Sequence, residues 1–541
     1  MLYQIFSLLL IIPCLLGYGS FLGDKLAIRK SQSLMMILGL FSLSVAWTIL
    51  SFFVPITIFV EILSLGLGYF FYFKSKLWKS DFVFYSTKAT LFFYVCIVLA
   101  IVSSTYYPFI LDTFGYYIPS VLWISEYGLV KGIANLDLIL GQMSFWHILQ
   151  AGFSHVSDIY LRLNLLLLIV FVHYIFETKK WIMLVVLPVF FLFTQSPSPD
   201  LPVMILSLIV VNEILNKNNN LSFLFAISVW AFAVKPTVIW LPLFVLVYGV
   251  FFVNSSKKFL VLGSLVFGLF IIKNIYCFGY PFFPSTFLDV GASWKPNSEL
   301  MQDSAKYAII KTYDTQYTYE QITQFSVVEK VKNWLFLDGI KSKIHILFVF
   351  SIIIFGFYAF KTKNKVLTLL WSCILLKSII VLIFSAQYRF FLEVFVIIFF
   401  ILFQSIISKK ISFVAFGFIA TIVLSTLSFP RYLQIHLPSF RLGAYITGIS
   451  SEQLIRPVFY ELNSYYTYQI GNLKFNVSKD YPFSFDTPLP AISSSFVQHY
   501  YDIGIFPQLN SHQLKDGFHW KKLNKEQKEK LKEILKNLPI Q

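Results

Sequence analysis

The chain has 541 residues, of which 57% are hydrophobic and 13% are charged. Soluble proteins carry about 25% charged residues, so this composition excludes an ordinary soluble enzyme. The formal net charge of +16 would suggest a nucleic-acid partner in a soluble domain. Here basic loops and a Lys-rich tail account for that charge, and we expect no binding of nucleic acid. The four cysteines lack metal-site spacing, so we expect neither a zinc site nor an essential disulfide.

Apolar runs recur along most of the chain, and each is long enough to cross a bilayer core, which takes about 17–25 residues. The runs are continuous rather than alternating, which disfavours a β-barrel. We therefore predict an all-α polytopic membrane protein with about fourteen transmembrane helices. The predicted spans lie near 1–22, 33–52, 54–73, 88–106, 161–177, 181–195, 200–215, 221–234, 237–253, 259–277, 343–360, 366–386, 389–407 and 411–429.

Lysine and arginine fall in alternate loops between these spans, and basic loops face the cytoplasm. The first run lacks a basic n-region, so it is interpreted as a retained span, and Lys25, Arg29 and Lys30 follow it. This pattern predicts a multi-pass protein of the cytoplasmic (inner) membrane with an extracytoplasmic N-terminus. The predicted organisation is a transmembrane domain over 1–429, with outer loops at 105–160 and 278–340, and a small α+β extracytoplasmic domain over 430–541.

The first outer loop is rich in aromatic residues with few charges. Trp123 and Tyr127 suit a membrane interface, and a second aromatic stretch covers 143–153. These stretches predict two short helices that lie along the outer membrane surface. His147 and His155 in this region are interpreted as structural residues rather than metal ligands.

Five charged residues from separate segments fall on the predicted outer side. Polar groups at membrane depth are costly and are usually functional or paired, so these residues could converge on one outer cavity. They are Asp112, Asp200, Lys235, Lys273 and Arg389.

Each of these residues also has a structural interpretation. Asp112 could mark the end of a span, and Asp200 could cap the next helix. The two lysines could extend to the headgroups, and Arg389 could pair with Glu393 one turn later. Glu393 and Lys377, in late spans, are predicted to be paired with a charge or to face a pore.

Several motifs together resemble the GT-C glycosyltransferases, and in particular one bacterial branch of polytopic proteins of unknown function. That branch carries D-x-x-x-Y-H-x-P and then W-I-x-E-Y-G-L-V-x-G-L-A-N-L, which here read DTFGYYIP and WISEYGLVKGIANL. It also carries S-P-S-x-D, G-x-P-x-x-P, D-x-P-L-P and D-G-F elements, present here as SPSPD, GYPFFP, DTPLP and DGF. The resemblance spans about 105–520, and its longest element, at 123–136, is the most specific.

The resemblance implies transfer of a sugar from a polyprenyl-phosphate donor to a glycan or lipid acceptor outside the cytoplasmic membrane. It implies no cofactor, and it leaves a need for divalent metal open. Asp112 is the candidate catalytic base, and cations would stabilise the departing lipid phosphate. The candidate substrate-binding residues are Tyr116, Tyr117, Asp200, Lys235, Lys273, Asn274 and Arg389.

Three positions depart from the branch, with Tyr117 in place of His, Ile139 in place of Arg and Met143 in place of Asn. The first two departures remove a possible acid–base partner and a possible phosphate contact. An inactive scaffold of the same fold therefore competes with an active transferase. Two further functions also compete with sugar transfer: a polysaccharide polymerase, and a transporter or flippase of lipid-linked sugars. Transporters, however, often show internal repeats and place charges near the bilayer midplane.

Overall fold

A computed structural model of the protein describes residues 1–23, 26, 31–79, 87–436, 448–459 and 464–538. The chain is mostly helical (68%), and these residues form 22 α-helices and four short strands. The first basic loop, with Lys25, Arg29 and Lys30, lies outside the described residues.

Most helices of the first half lie in the predicted apolar runs, and two short ones lie in the long loop that contains Asp112. They are α1 Leu2–Gly23, α2 Gln32–Leu50, α3 Ile58–Lys74, α4 Thr87–Ser104, α5 Ile118–Tyr127, α6 Phe145–Ala151, α7 Leu163–Thr178, α8 Met183–Phe190, α9 Asp200–Leu215, α10 Leu221–Val234, α11 Trp240–Val247 and α12 Leu260–Phe278.

The second half begins with three helices of the second outer loop and ends with a short helix and two helices beside the strands. The helices are α13 Ser298–Thr312, α14 Tyr319–Gln324, α15 Val327–Leu335, α16 Ile340–Lys361, α17 Lys365–Phe384, α18 Leu392–Phe403, α19 Lys409–Ser428, α20 Pro430–His436, α21 Ser494–Ile503 and α22 Lys525–Lys536.

Six helices within the described ranges are long and apolar enough to cross a membrane. A helix also occupies each of the other predicted spans, although these helices are shorter or less apolar, so the count of fourteen spans stays a prediction. The chain thus has the character of a helical membrane protein. The six helical segments are Leu2–Gly23, Gln32–Leu50, Lys257–Phe278, Ile340–Lys361, Lys365–Phe384 and Lys409–Ser428.

Glycines allow the first three helices to approach each other closely. A side chain at Gly39 of α2 would collide with the backbone carbonyl of Leu15 in α1, and one at Gly17 would collide with the carbonyl of Gly68 in α3. Small residues are the usual means by which helices pack in a membrane, because lipid gives no hydrophobic drive between them. α1 is therefore held between α2 and α3 with its backbone close to both.

The N-terminus and the first part of the C-terminal region meet at one end of the helical bundle. The Met1 amino group donates to the carbonyl of Gln453 at 2.6 Å, and the Val458 amide donates to the carbonyl of Thr105, just after α4, at 2.9 Å. The predicted threading put the N-terminus, the first outer loop and the C-terminal region on one side, and this shared end agrees with it. Which end faces the cytoplasm stays a prediction.

The C-terminal region is a small α+β unit, as its composition predicts. β1 Tyr465–Ile470 pairs antiparallel with β2 Leu473–Ser478, and β3 Ile505–Leu509 pairs antiparallel with β4 Phe518–Lys522. The buried Gln508 side chain joins the two hairpins by donating to the carbonyl of Ile470 at 3.1 Å.

The two short helices of the first outer loop form as predicted, but their placement differs. Every residue of α6 is buried, and so are Trp123 and Ile124 of α5. A helix that lies on a membrane surface keeps a polar face in water, and α6 has no such face. The prediction that it rests on the membrane surface is wrong, because α2, α5 and α10 pack around it.

Candidate functional site

Two ion pairs lie at the shared end of the bundle. Arg389 Nη1 donates to Asp112 Oδ2 at 2.6 Å, and Lys235 Nζ binds Asp200 Oδ1. The Phe390 ring connects the pairs, with Lys235 Nζ 5.1 Å and Arg389 Cζ 5.2 Å from its centroid. The structure therefore brings together four of the five predicted charged residues. Arg389 pairs with Asp112 and not with Glu393, so the structural interpretation of Arg389 is wrong.

The ends of helices position these charges. Asp200 is the first residue of α9, and Lys235 immediately follows α10. Acids are favoured at helix N-termini and bases at C-termini by the helix dipole, and α9 packs against α10 so that these two ends are adjacent. Arg389 lies in a turn of 3₁₀ helix just before α18, which also packs against α9.

The exposure of the two pairs differs. The side chains of Arg389 and Asp112 are 33% and 26% exposed, whereas those of Lys235 and Asp200 are 13% and 11% exposed. Arg389 carries five N–H donors, of which Nη1 supplies one to Asp112, while its buried Nε has no hydrogen-bond partner within the described part of the chain. The Arg389–Asp112 pair is therefore the more accessible of the two, and Arg389 keeps donor capacity for another ligand.

Lys311 adds a third cation that sequence reasoning missed. The end of α13 contacts the Arg389 segment, since the Ala386 amide donates to Thr312 Oγ1 at 3.1 Å and Ser385 Oγ donates to the carbonyl of Ala308 at 3.2 Å. Lys311 remains in contact with water, yet its surroundings desolvate it enough to lower its pKa, and Arg389 lowers that pKa further while Asp112 opposes the effect. No apolar run or motif marks Lys311, so only tertiary contact reveals it.

Tyr116 and Tyr117 do not offer open aromatic faces. They follow Asp112 in a π-helical turn over Thr113–Tyr117 and are 5% and 1% exposed. The Tyr117 ring stacks on His147 at 5.1 Å between centroids. Burial raises the pKa of both phenols, with Asp112 adding to the effect. Other rings cover both tyrosines in the structure, and contact with a substrate ring stays a prediction.

The imidazole of His147 was predicted to be structural, and it caps α6. Its Nδ1 accepts from the Ser144 amide at 3.0 Å, which places the ring proton of the neutral form on Nε2. Burial lowers the pKa of His147 to about 3, and Lys273 lowers it too. Among the described residues, Nε2 has no hydrogen-bond partner. The ring therefore contributes packing against Tyr117 and a fixed helix cap.

Lys273 and Asn274 hold backbone rather than facing the ion pairs. The buried Lys273 Nζ donates to the carbonyl of Met143 at 2.6 Å, and its ammonium lies 4.8 Å from the centre of the Phe278 ring. Asn274 Nδ2 donates to the carbonyl of Pro281 at 2.9 Å and so fixes the turn after α12. In the structure both side chains hold backbone carbonyls away from the ion pairs, and their role in substrate binding stays a prediction.

Lys377 and Glu393 form a buried pair deep among the helices, as one of the two sequence interpretations predicts. Lys377 Nζ binds Glu393 Oε1 at 2.7 Å, with side chains 1% and 2% exposed. Lys377 also donates to the carbonyl of Phe390. The pair therefore fixes the residue whose ring lies between Lys235 and Arg389.

The buried Arg162 joins four segments through backbone carbonyls. It donates to Ser104 at 3.0 Å, to Tyr160 at 2.9 Å, to Gln195 and to Val458 at 3.0 Å. These carbonyls belong to the end of α4, the first outer loop, the SPSPD turn and the C-terminal region. Sequence reasoning missed this residue, because nothing local marks an arginine whose partners are all backbone.

The C-terminal region packs on the first outer loop through the quoted motifs. The Phe485 amide, beside DTPLP, donates to the carbonyl of Phe114 in the π-helical turn at 3.0 Å, and the two rings stack. The Phe518 amide of DGF donates to the carbonyl of Lys131 at 2.9 Å, and a side chain at Gly517 would collide with that carbonyl. The motifs that carry the family resemblance thus form a structural interface that holds the Asp112 turn.

Asp137 lies in the same interface and is buried. Its Oδ2 accepts from Ser493 Oγ at 2.9 Å, and its Oδ1 accepts from the Ile139 amide at 3.2 Å. Burial raises the pKa of the carboxyl to about 6, and the hydrogen bonds from Ser493 and Ile139 only partly oppose the rise. The folded protein therefore holds this proton more tightly than the unfolded chain does.

We expect Asp137→Asn to stabilise the protein near neutral pH. The folded pKa of about 6 exceeds the ordinary 3.8, so the neutral carboxyl stabilises the fold fully below pH 3.8, and this contribution is lost as pH rises through 6. The cost above pH 6 is on the order of 2–3 kcal/mol, and an amide avoids it. Melting temperatures measured from pH 4 to 8 in detergent should show a benefit that grows with pH. If the melting temperatures of Asp137→Asn and of the exposed control Asp502→Asn depended on pH in the same way, the buried carboxyl of Asp137 would not be the cause.

The arrangement can do acid–base chemistry beside an anion. A partly exposed carboxylate lies next to a guanidinium with free donor capacity, and two lysines lie close by. Within the described ranges, no group of three or more His, Cys, Asp or Glu residues is placed to hold a metal ion.

No curated protein and no solved structure matches the chain. One family model matches residues 1–396, a range that contains both ion pairs and ends three residues after Glu393. Since that range covers well over half of the chain, the protein belongs to the family described as a domain of unknown function, DUF8201.

Proposed function

We propose that the protein is a membrane glycosyltransferase. It moves a sugar from a polyprenyl-phosphate donor to an envelope glycan or lipid acceptor, on the outer face of the cytoplasmic membrane. The observation that carries this proposal is the Asp112–Arg389 pair, which sets a partly exposed carboxylate beside a guanidinium. Lys235 and Lys311 add positive charge around the same segment.

In the proposed reaction the cations bind phosphate and the Asp112 carboxylate takes up a proton. The donor's phosphate binds Arg389 in place of Asp112, since planar guanidinium groups bind phosphate through two parallel hydrogen bonds. Asp112 is then free to accept the proton of the acceptor hydroxyl. The hydroxyl oxygen forms a bond to the sugar C1, the bond from C1 to the phosphate oxygen breaks, and its electron pair leaves with the lipid phosphate. Arg389, Lys235 and Lys311 stabilise that departing charge.

A transporter of lipid-linked sugars is the second candidate. The observation that favours it is the buried Lys377–Glu393 pair, because intramembrane ion pairs often mark transport pathways. The exposed Asp112–Arg389 pair at one end of the bundle instead favours surface chemistry. Proteoliposomes that move a labelled lipid-linked sugar across the bilayer without forming a new glycosidic bond would support the transporter.

Binding of a lipid phosphate tests the proposal directly. Farnesyl phosphate should raise the melting temperature of the purified protein, whereas uncharged farnesol should not. Arg389→Gln should weaken the binding of farnesyl phosphate about tenfold to a hundredfold, because hydrogen bonds to charged groups contribute about 1.5–3 kcal/mol. The exposed Arg456, 3.7 Å from Glu452, gives the control Arg456→Gln, which should bind normally. Equal affinity in both variants would rule out Arg389 as the phosphate ligand.

A further inference from the structure

One face of α15, in the second outer loop, is apolar and exposed. The side chains of Val327, Val328 and Val331 are 78%, 76% and 54% exposed. Positions three and four residues apart lie on the same side of a helix, so the valines form one stripe, whereas Leu335 one turn later is partly buried. We call the three valines the valine stripe. A stripe of this kind beside charged residues is typical of a helix that binds an apolar surface.

The position of α15 places the valine stripe at a membrane boundary. α16, a candidate span, begins at Ile340, only a few residues after α15 ends. Leu347, Phe350 and Phe357 of α16 are all more than half exposed, as expected for side chains that face lipid. The stripe therefore lies at the end of a surface that already faces the hydrocarbon of the bilayer.

Lysines accompany the stripe. Lys332 of α15 and Lys343 of the first turn of α16 are exposed. A lysine beside a bilayer rests its alkyl chain on apolar surface and extends its ammonium to the lipid phosphates. Each basic residue near an anionic surface adds about 1 kcal/mol of attraction. Apolar side chains with adjacent lysines match the chemistry of a phospholipid headgroup layer better than that of a purely apolar protein surface.

Trp334 fixes which way the helix faces. It is 5% exposed, its indole N–H donates to the carbonyl of Ala386 at 2.9 Å, and its ring stacks on His345 at 4.2 Å between centroids. These contacts hold one side of α15 against the protein and leave the valine stripe directed outward. Ala386 precedes Arg389 by three residues, so the same contact joins α15 to the segment that carries the ion pair.

We propose that α15 lies in the headgroup layer of the membrane, with the valine stripe inserted among the lipids. The bound lipid surface then supports the segment that holds Arg389. This interface does not depend on the proposed glycosyltransferase activity, because it rests on the exposed side chains of α15 and on its junction with α16.

Spin labels in liposomes of anionic phospholipid test this interface. The four native cysteines are free and buried, so labels can be attached selectively at Val328→Cys and, as a control, at Lys330→Cys on another side of α15. The proposal expects the Val328 label to collide with dissolved oxygen more than with a water-soluble nickel chelate, and the Lys330 label to show the reverse. Preference for the chelate at both sites would overturn it. Protection of the Val328 label from both reagents would also overturn it, because a second copy or another protein would then cover the stripe.

Discussion

Asp112→Asn is expected to lower the rate of sugar transfer by about 10²–10⁴-fold, the usual contribution of a general base. Asparagine has nearly the same shape and can still accept a hydrogen bond from Arg389, but it cannot take the proton of an acceptor hydroxyl. The fold should survive, because the Asp112 side chain is 26% exposed and the change leaves no buried charge unpaired. The measurement is release of lipid phosphate from a synthetic polyprenyl-phosphate sugar by the purified protein.

Two control measurements distinguish the loss of a catalytic base from other causes of a lower transfer rate. Asp303→Asn changes another carboxylate of the predicted outer side, which pairs with Lys306 at 2.9 Å, and it should leave the rate unchanged. Binding of farnesyl phosphate should persist in Asp112→Asn, because Arg389 is then freed from its carboxylate. A variant that transfers sugar at the normal rate would remove Asp112 from the mechanism. A variant that binds no lipid phosphate would show that the Asp112 carboxylate shapes the site rather than reacting in it.

The convergence of four of the five charges could be predicted from sequence because the alternation of basic loops puts them on one side, although Lys273, assigned to the same side, binds the carbonyl of Met143 instead. Once alternate loops are assigned to opposite sides, the ends of several spans must meet at one end of the bundle. That argument correctly predicts that Asp200 and Lys235 are neighbours, since they lie at adjacent ends of α9 and α10. It cannot choose between partners for Arg389, because Asp112 and Glu393 both lie within reach of a long side chain until the rotation of α18 is known.

The residues that sequence reasoning missed act through backbone or through distant segments. Arg162 binds four carbonyls, and a carbonyl carries no signature in sequence. Lys311 comes near enough to feel the charges of the ion pair because α13 contacts the segment before Arg389. Lys273 and Asn274 show the opposite case, since their residue types suit phosphate binding, whereas in the structure their side chains hold backbone carbonyls. Residue type indicated which contacts a side chain could make, whereas its actual hydrogen-bond and ion-pair partners could be found only from the packed structure.

The placement of helices at the predicted membrane boundary also could not be deduced from their own sequences. Aromatic composition led to a surface position for α6, yet α2, α5 and α10 pack around it. α15 has fewer aromatic residues, and its valine stripe is exposed. The difference lies in what packs over each helix, which depends on other segments of the chain and not on the helix's own composition.

Lys377→Met is expected to destabilise the protein by about 3–5 kcal/mol, because it leaves the carboxylate of Glu393 buried without its cation. The paired side chains are only 1% and 2% exposed, so water cannot replace the lost partner. The double variant Lys377→Met/Glu393→Leu should recover most of the loss, because apolar side chains of similar volume often replace a buried pair without cost. Lys306→Met, which breaks the more exposed pair with Asp303, should change stability by less than about 1 kcal/mol.

Thermal unfolding in detergent gives the order of stability of these variants, and binding of farnesyl phosphate gives the consequence for the site. Equal destabilisation in the single and double variants would contradict the electrostatic origin, because packing alone would then explain the loss. Lys377 also donates to the carbonyl of Phe390, whose ring lies between Lys235 and Arg389. The double variant should therefore fold stably yet bind lipid phosphate more weakly than the wild type, since it restores the buried packing but not the hydrogen bond that positions Phe390.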